Sequence, residues 1–281
     1  PAMDLDMYAH PATQDNLRTL AARGNHIIEP ASGQLASGLE GKGRMEDAEK
    51  IVQLLDDFLS APKDLDGRSI LITAGPTYEK LDPVRFIGNY SSGRMGFALA
   101  EECARRGARV ELVCGPVTLT TTSPSVTRTD VESAAEMYEA ATRRFPQADA
   151  AILCAAVADF APAVAAQQKI KREGDQLTLT LSPTRDIARA LGQAKRPGQV
   201  LVGFALETDH EEEHAREKLR KKNLDLIVLN SLRDEGAGFR HATNKVTLID
   251  SHGETPFPLK TKEDVARDIV NRLVQIMDEK P

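Results

Sequence analysis

SILITAGP (69–76), SSGRMGFALAEECARRG (91–107) and ARVELVCGP (108–116) decide the fold. The first is a short run rich in β-branched residues that stops at Gly-Pro; the second has helical period; the third is again an apolar strand. Ser91 or Ser92 is placed to N-cap the helix, and Gly107 to follow its last turn. The three segments read as one β–α–β unit. Working outward, TDVESAAEMYEAATRRF (129–145) predicts a second helix, and Asp149–Val157 an apolar strand covered on both faces. VLVGFALE (200–207), EEEHAREKLRKKN (211–223) and LDLIVLN (224–230) repeat the strand–helix–strand pattern. QLTLTLSP (176–183) alternates with period two and predicts a half-exposed strand. KVTLID and TPFPL, divided by His252-Gly253, predict an antiparallel hairpin, and DVARDIVNRLVQIM (264–277) a closing helix. The class is α/β: a mostly parallel sheet covered by helices, with an antiparallel hairpin added.

Residues 1–60 differ. They hold a helix at Ala12–Arg23, a Gly-rich loop from Gly33 to Gly43 and a helix from Asp47 to Leu59. Without a sheet these bury little core. They are expected to be the tail of a domain whose body is missing, joined through Ala61-Pro62-Lys63-Asp64 to a second domain over 61–281. The chain opens at Pro1, inside a motif, and is expected to be a piece of a longer protein.

A formal net charge of −6 gives no footprint for nucleic acid or an anionic membrane, so any anionic substrate must be held by local cations. The short basic runs at Lys169 and Lys218 are candidates, each also readable as solvated surface. Cys103, Cys114 and Cys154 lie far apart in apolar stretches, without metal-ligand spacing. Reduced buried thiols and a cytoplasmic location are the expectation. No apolar run approaches the ~20 residues that span a bilayer.

The most informative segment is GPTYEKLDPVRFIGNYSSGRMG (75–96). A strand end, a long loop and glycines at a helix start put free backbone N–H groups where a phosphate can sit. The same glycines equally suit close helix–sheet packing. The segment lacks GxGxxG and GK[ST], which excludes a dinucleotide fingerprint and a Walker A loop.

TAGPTYEKLDPVRFIGNYSSGRMGFALAEECARRGARVELVCGP resembles the ligase half of the bifunctional phosphopantothenoylcysteine decarboxylase/phosphopantothenate–cysteine ligase family. The likeness continues in AAVADF (155–160), QKIKR (168–172), LVGFALET (201–208) and KLRKKNLDLIVLN (218–230), in order, over residues 67–275. It implies a Rossmann-like sheet and a two-step reaction of coenzyme A synthesis. The carboxylate of 4′-phosphopantothenate attacks the α-phosphate of CTP or ATP, supplied with Mg²⁺; the amine of cysteine then displaces the nucleotide. Such chemistry needs fixed cations around the phosphates and a site closed to water.

Carried over residue by residue, the resemblance makes Lys169 the cation for acyl-nucleotide formation and Asn89 the amide donor for the second step. Ser91, Ser92, Gly93 and Gly96 would contact phosphate or substrate. Ala155, Asp159, Asp186, Ile187, Phe204, Lys218 and Lys222 would bind the nucleotide, Asp159 either through Mg²⁺ on the triphosphate or directly. Lys171 and Arg172 would be solvated or help order the loop. Family members are homodimers, for which the 245–250 hairpin or an exposed strand edge offers a contact.

PAMDLDMYAHPATQDNL followed by GQLASGLEGKGRM resembles the end of the FMN-dependent decarboxylase half, which commonly carries PAMN and LACG. Here Asp4 and Ser37 stand at the asparagine and cysteine. A serine hydroxyl is a much weaker acid than a thiol, so Ser37 cannot inherit proton donation. The chain alone is expected not to decarboxylate; the alternative is a bifunctional full-length parent that also decarboxylates the product with FMN. Competing readings are a flavin lyase, an NAD(P) oxidoreductase without its glycine fingerprint, and a catalytically silent nucleotide-binding module.

Overall fold

The structure is a computed structural model. It describes residues 2–23, 25–59, 62–171, 176–207, 211–231 and 241–280. The chain divides into two compact units, Pro1–Lys63 with Thr122–Pro124, and Asp64–Thr121 with Ser125–Pro281.

In the second unit a mixed eight-stranded sheet runs through the core. Its strands are β1 (Ser69–Ala74), β2 (Arg109–Cys114), β3 (Val126–Asp130), β4 (Ala150–Leu153), β5 (Val200–Glu207), β6 (Leu226–Ser231), β7 (Val246–Asp250) and β8 (Glu254–Pro256). The order is β8-β7-β6-β5-β4-β1-β2-β3. From β3 to β6 all neighbours are parallel; β7 and β8 add on antiparallel. Strand order therefore reverses direction between β1 and β4, the crevice where open α/β sheets bind ligands beyond the strand C-termini.

Period-two alternation sorts the strand side chains into two cores. Ile70, Ile72, Val110, Leu112, Ile152, Val202 and Val228 pack under α1 (Arg94–Arg105) and α5 (Lys262–Glu279). Leu71, Val113, Ala151, Leu201 and Ile227 face α2 (Ala134–Arg144), α3 (Ile187–Ala194) and α4 (Glu211–Lys221). The expected α/β sheet with an added hairpin is thus present. Ser133 starts α2 with a capping box shared with Glu136.

Three local expectations are corrected. The N-cap of α1 is Gly93, not a serine: its φ is +78°, and a Cβ there would meet Val117 at 3.1 Å. Gly107 does follow the helix, at φ +96°. Only Leu181–Pro183 of the 176–183 run is a strand; it pairs with Phe160–Pro162 outside the main sheet, so its side chains are exposed instead of half-buried. Asp149–Val157 is strand only over Ala150–Leu153, extended by a bridge between Pro76 and Ala156.

The first unit contains helices Leu5–Ala9, Pro11–Ala22 and Ala48–Leu59. The expected Gly33–Gly43 loop is instead a hairpin, Ala31–Gln34 paired with Glu40–Arg44. Its glycines permit close approach: a Cβ on Gly43 would lie 2.2 Å from the Met3 carbonyl, and Met3 N–H donates to Gly43 O at 2.8 Å. All three cysteines are free, and no helix among the described residues is long and apolar enough to cross a membrane.

Candidate active site at the strand C-termini

Beyond the sheet, the loops after β1 and β4 are sewn together. Cys154 N–H donates to Thr73 O and Ala156 N–H to Gly75 O, while Thr77 N–H returns to Ala156 O. The buried Thr77 hydroxyl accepts from Ala158 N–H at 3.0 Å. Asn89 joins this seam: its Nδ2 donates to Ala156 O at 2.9 Å, and the residue is otherwise exposed. Asn89 directly follows the small ladder Tyr78–Lys80/Phe86–Gly88, whose Tyr78 and Phe86 rings stack at 3.9 Å.

The chain preceding Asn89 also anchors Lys169. Asp82, 2% exposed, accepts from Val84 N–H, Arg85 N–H and the Arg85 guanidinium. Its remaining capacity takes Ile170 N–H at 3.1 Å, and Arg85 donates to Ile170 O at 2.8 Å. Ala166 N–H adds a bond to Leu81 O. The Lys169 side chain itself is exposed. Arg85 beside Asp82 outweighs burial, and with three backbone N–H donors holds the carboxyl far below the usual range. Lys171 is exposed, and Arg172 lies outside the described residues.

A cavity of about 130 Å³ opens over β4, β5 and β6 on the α1/α5 face. Ser91, Ser92, Gly93 and Gly96 from the start of α1 form one wall, with Ala155, Ala156 and Phe204 beside them. Gly96 also serves packing, since a Cβ there would sit 2.5 Å from the Ala74 Cβ. The two readings of these glycines are therefore compatible: α1 lies hard on β1, and its first turn still faces the cavity.

Asp159 is exposed in the loop after β4; its carbonyl accepts from Thr184 N–H, 2.9 Å away. Asp186 caps α3 through Arg189 N–H at 3.0 Å and pairs with Lys222 at 2.9 Å. Burial acts to raise the Asp186 pKa, but the backbone donors and Lys222 outweigh it and lower it. Ile187 is buried in the α2/α3/α4 core, and Lys218 is half-buried on α4. The structure thus groups Asn89, Ser91–Gly96, Ala155 and Phe204 on one side of the crevice, and Asp186 with Lys222 on the other face of the sheet.

Sequence reading missed Arg94, Asn230, Asn244 and Lys262, which complete the cavity, and the Asp82–Arg85 clamp. Asp82, Arg85 and Asn230 sit inside the quoted motifs, so their positions were visible without their roles. Lys262, in KTKED, looks like surface sequence, yet it is 4% exposed at the first turn of α5. Burial, reinforced by Arg94, holds its pKa below the ordinary lysine range.

Sheet order and crevice define an α/β protein of the open-sheet kind, with its cavity beyond the strand C-termini. A family model described as the DNA/pantothenate metabolism flavoprotein C-terminal domain matches residues 65–277, and a flavoprotein model matches 1–60. The chain belongs to this pantothenate-metabolism flavoprotein family, as the motifs implied. It is 44% identical to the coenzyme A biosynthesis bifunctional protein CoaBC of Escherichia coli (strain K12), over 100% of this chain and 70% of that protein. It is 55% identical to a cysteine/cysteine sulfinic acid decarboxylase of an unknown prokaryotic organism, over 99% of this chain and 79% of that one. The crystal structure of the C-terminal domain of a CoaBC superposes with a TM-score of 0.66 at 40% identity, covering 77% of this chain and 99% of that one.

Proposed function

We propose that this chain condenses 4′-phosphopantothenate with cysteine through an acyl-nucleotide, the ligase step of coenzyme A synthesis. The observation that supports this most directly is the pair of tied loops. Asn89 is bonded to the segment after β4, and the later part of that same connection, carrying Lys169, is clamped back to Asp82 and Arg85. Residues for both half-reactions therefore hang on one stitched frame at the switch point.

In the first step a carboxylate oxygen of the acid bonds to the α-phosphorus as the bond to pyrophosphate breaks. The Lys169 ammonium meets the charge growing on the phosphoryl oxygens, an effect of about 3–4 kcal/mol for one well-placed donor. In the second step the cysteine amine bonds to the acyl carbon, and the bond from that carbon to the nucleotide oxygen breaks. Asn89, released from Ala156 O, donates to the acyl oxygen as negative charge gathers there.

Ala155, Asp159, Asp186, Ile187, Phe204, Lys218 and Lys222 form the nucleotide side, with CTP favoured over ATP. Mg²⁺ would arrive on the phosphates, with Asp159 as a single protein carboxylate. We place the enzyme in the cytoplasm as a homodimer. Val84, Phe86, Phe160, Val164 and Leu181, exposed on and beside the two small ladders, offer the apolar surface a second copy would cover.

The test is to incubate the chain with 4′-phosphopantothenate, Mg²⁺ and CTP or ATP, with and without cysteine, and to follow pyrophosphate and product. Nucleotide-dependent pyrophosphate release that requires the acid is expected; its absence with both nucleotides would overturn the reading.

Asp4 and Ser37 favour a second reading for the flavoprotein segment. Asp4 is engaged in capping the first helix, through Leu5 N–H at 2.7 Å. Ser37 lies in the turn of the 31–44 hairpin. The described strand pair of residues 1–60 is antiparallel, and FMN would belong to the flavoprotein half of a parent. With a 55% identical relative named for cysteine and cysteine sulfinate, we infer that a parent's decarboxylating half acts on a substrate other than phosphopantothenoylcysteine. Carbon dioxide release by the parent from each candidate acid in turn checks this.

A further inference from the structure

Glu79, 5% exposed, is a buried carboxylate in the middle of the first strand of the small ladder, Tyr78–Lys80. Strand side chains alternate, so it points away from the face that carries Tyr78 and Lys80. Its Oε1 accepts the Ala134 N–H at 2.8 Å, across 55 positions of sequence. Ala134 is the first residue of α2 and is buried as well. The leading N–H groups of a helix have no partner inside it. Ser133 Oγ takes the one from Glu136 at 3.2 Å, and Glu79 takes the one from Ala134.

A cap alone would not require a residue from another element; Glu79 also makes a link. Beside it, Tyr78 N–H donates to Glu132 O at 2.8 Å, and Lys80 pairs with Glu132 at 2.6 Å. Glu79 stands opposite Ile87 and Tyr78 opposite Gly88, so the strand that leads into Asn89 is pinned just upstream of it. Gly88 lets the two strands close, since a Cβ there would meet Tyr78 Cδ1 at 2.7 Å. The ladder thus has an anchor at each end. Its tip, residues 81–85, holds the Lys169 branch through Ala166 and Ile170; its open end, beside Asn89, is held on α2.

We propose that Glu79 is a positioning residue for the second half-reaction: by fixing the ladder to α2 it sets where the Asn89 amide meets the acyl oxygen. The assignment rests on the ligase reading and deepens it. At rest Asn89 Nδ2 is bonded to Ala156 O. That bond is given up when the amide turns to the acyl oxygen, and from then on the ladder's anchors place Asn89. Lys169 keeps its own anchors at the tip, so the first half-reaction does not depend on Glu79. A purely structural cap would slow both steps together, which makes the two roles separable.

Rapid-quench measurements on the full chain follow the two steps apart: pyrophosphate release from CTP or ATP with 4′-phosphopantothenate and Mg²⁺, then amide formation after cysteine is added. Glu79→Leu removes the acceptor. It is expected to slow the second step on the order of 10²-fold, the cost of an ångström's misplacement, and to leave the first within about threefold. Glu79→Gln, whose amide oxygen still accepts the Ala134 N–H, should bring the second step back to near the wild-type rate. Ala134→Pro removes the donor instead; proline suits the first helical position, and Ser133 before it is already extended, at φ −105° and ψ 163°. It should reproduce the Glu79→Leu partition, and it decides if melting shows that Glu79→Leu does not fold. Equal losses in both steps, a loss confined to the first, no loss, or no recovery in Glu79→Gln overturns the assignment. Amide hydrogen exchange at residues 86–89, read without turnover, should rise by about tenfold or more in Glu79→Leu; unchanged exchange there likewise overturns it. A wild type that releases no pyrophosphate sinks the ligase reading, whatever the exchange shows. One that ligates while Glu79→Leu keeps its second step sinks the positioning role alone.

Discussion

Arg85 and Ile170 lie 85 positions apart, and the guanidinium of one donates to the carbonyl oxygen of the other at 2.8 Å. Asp82 closes the clamp from the other side by accepting Ile170 N–H. The backbone next to Lys169 is thereby fixed while its ammonium stays exposed, an arrangement suited to a cation that must meet an incoming phosphate.

Asp82→Asn removes the charge that holds Arg85 and should let the Lys169 loop drift. Misplacement of a positioned group by an ångström costs on the order of 10²-fold in rate. Single-turnover pyrophosphate release should fall by roughly that factor, with little change in nucleotide affinity. The Asp82 pKa is depressed in the folded state, so the clamp contributes stability above the ordinary carboxylate range. That contribution is lost only as pH falls through the lower folded value. Hydrogen exchange at Ile170 should therefore stay slow through mildly acidic pH in the wild type and speed up in the variant.

Gly96→Ala tests whether α1 must lie against β1. The new methyl would start 2.5 Å from the Ala74 Cβ and 3.1 Å from its Cα. Neither neighbour is a flexible side chain, so the helix must shift. Overpacking of this kind costs about 1–3 kcal/mol. Denaturant melts should show that loss, and phosphopantothenate binding should weaken with it because Ser91–Gly93 ride on the same helix start.

These outcomes draw unequally on the sequence. β1, α1 and β2 were legible because strand and helix periods alternate cleanly there, and Gly107 marked the helix end. The second helix within 129–145 and the 245–259 hairpin were equally plain. The start of α1 is misread because Ser91 and Ser92 have the right side chains for an N-cap, while the cap falls on Gly93, left-handed and close against Val117, a residue distant in sequence. Leu177–Leu181 alternates like a strand, but period two does not say that the partner lies outside the core. Asn89 and Lys169 stood out through motif resemblance. Asn244 and Lys262 did not: their importance comes from burial at a cavity, and burial of a lysine in a charged tract has no local signature.

Lys262 also makes anion binding in the cavity at the start of α1 pH-dependent. Burial comes first among the causes that lower its pKa, followed by Arg94; Cys154 and Glu263 act weakly in the other direction. Anion binding requires the protonated amine, whose population falls as pH rises through the lowered value. KM for the substrate whose phosphate enters the cavity should therefore climb at a pH below that of an ordinary lysine. Lys262→Arg, whose charge persists, should flatten the profile.

The thiols should be inert in the native state. Burial pushes Cys114 up to about 11 and Cys154 up to about 12, and raises Cys103 as well. Thiolate is the reactive form, so a disulfide reagent at pH 8 should label none of the three quickly. Full labelling is expected only on unfolding. Rapid reaction of the folded protein would show that the strand ends open more readily than their burial implies.

The division of labour between Lys169 and Asn89 is tested most directly by trapping the intermediate. Lys169→Gln and Asn89→Asp are each mixed with 4′-phosphopantothenate, Mg²⁺, CTP and cysteine; pyrophosphate is followed, and the quenched mixture is analysed by mass. Asn89→Asp should release pyrophosphate and accumulate the acyl-cytidylate with little amide product, whereas Lys169→Gln should release almost none. Normal turnover by Lys169→Gln, or an Asn89→Asp enzyme that makes amide at the wild-type rate, would contradict the account.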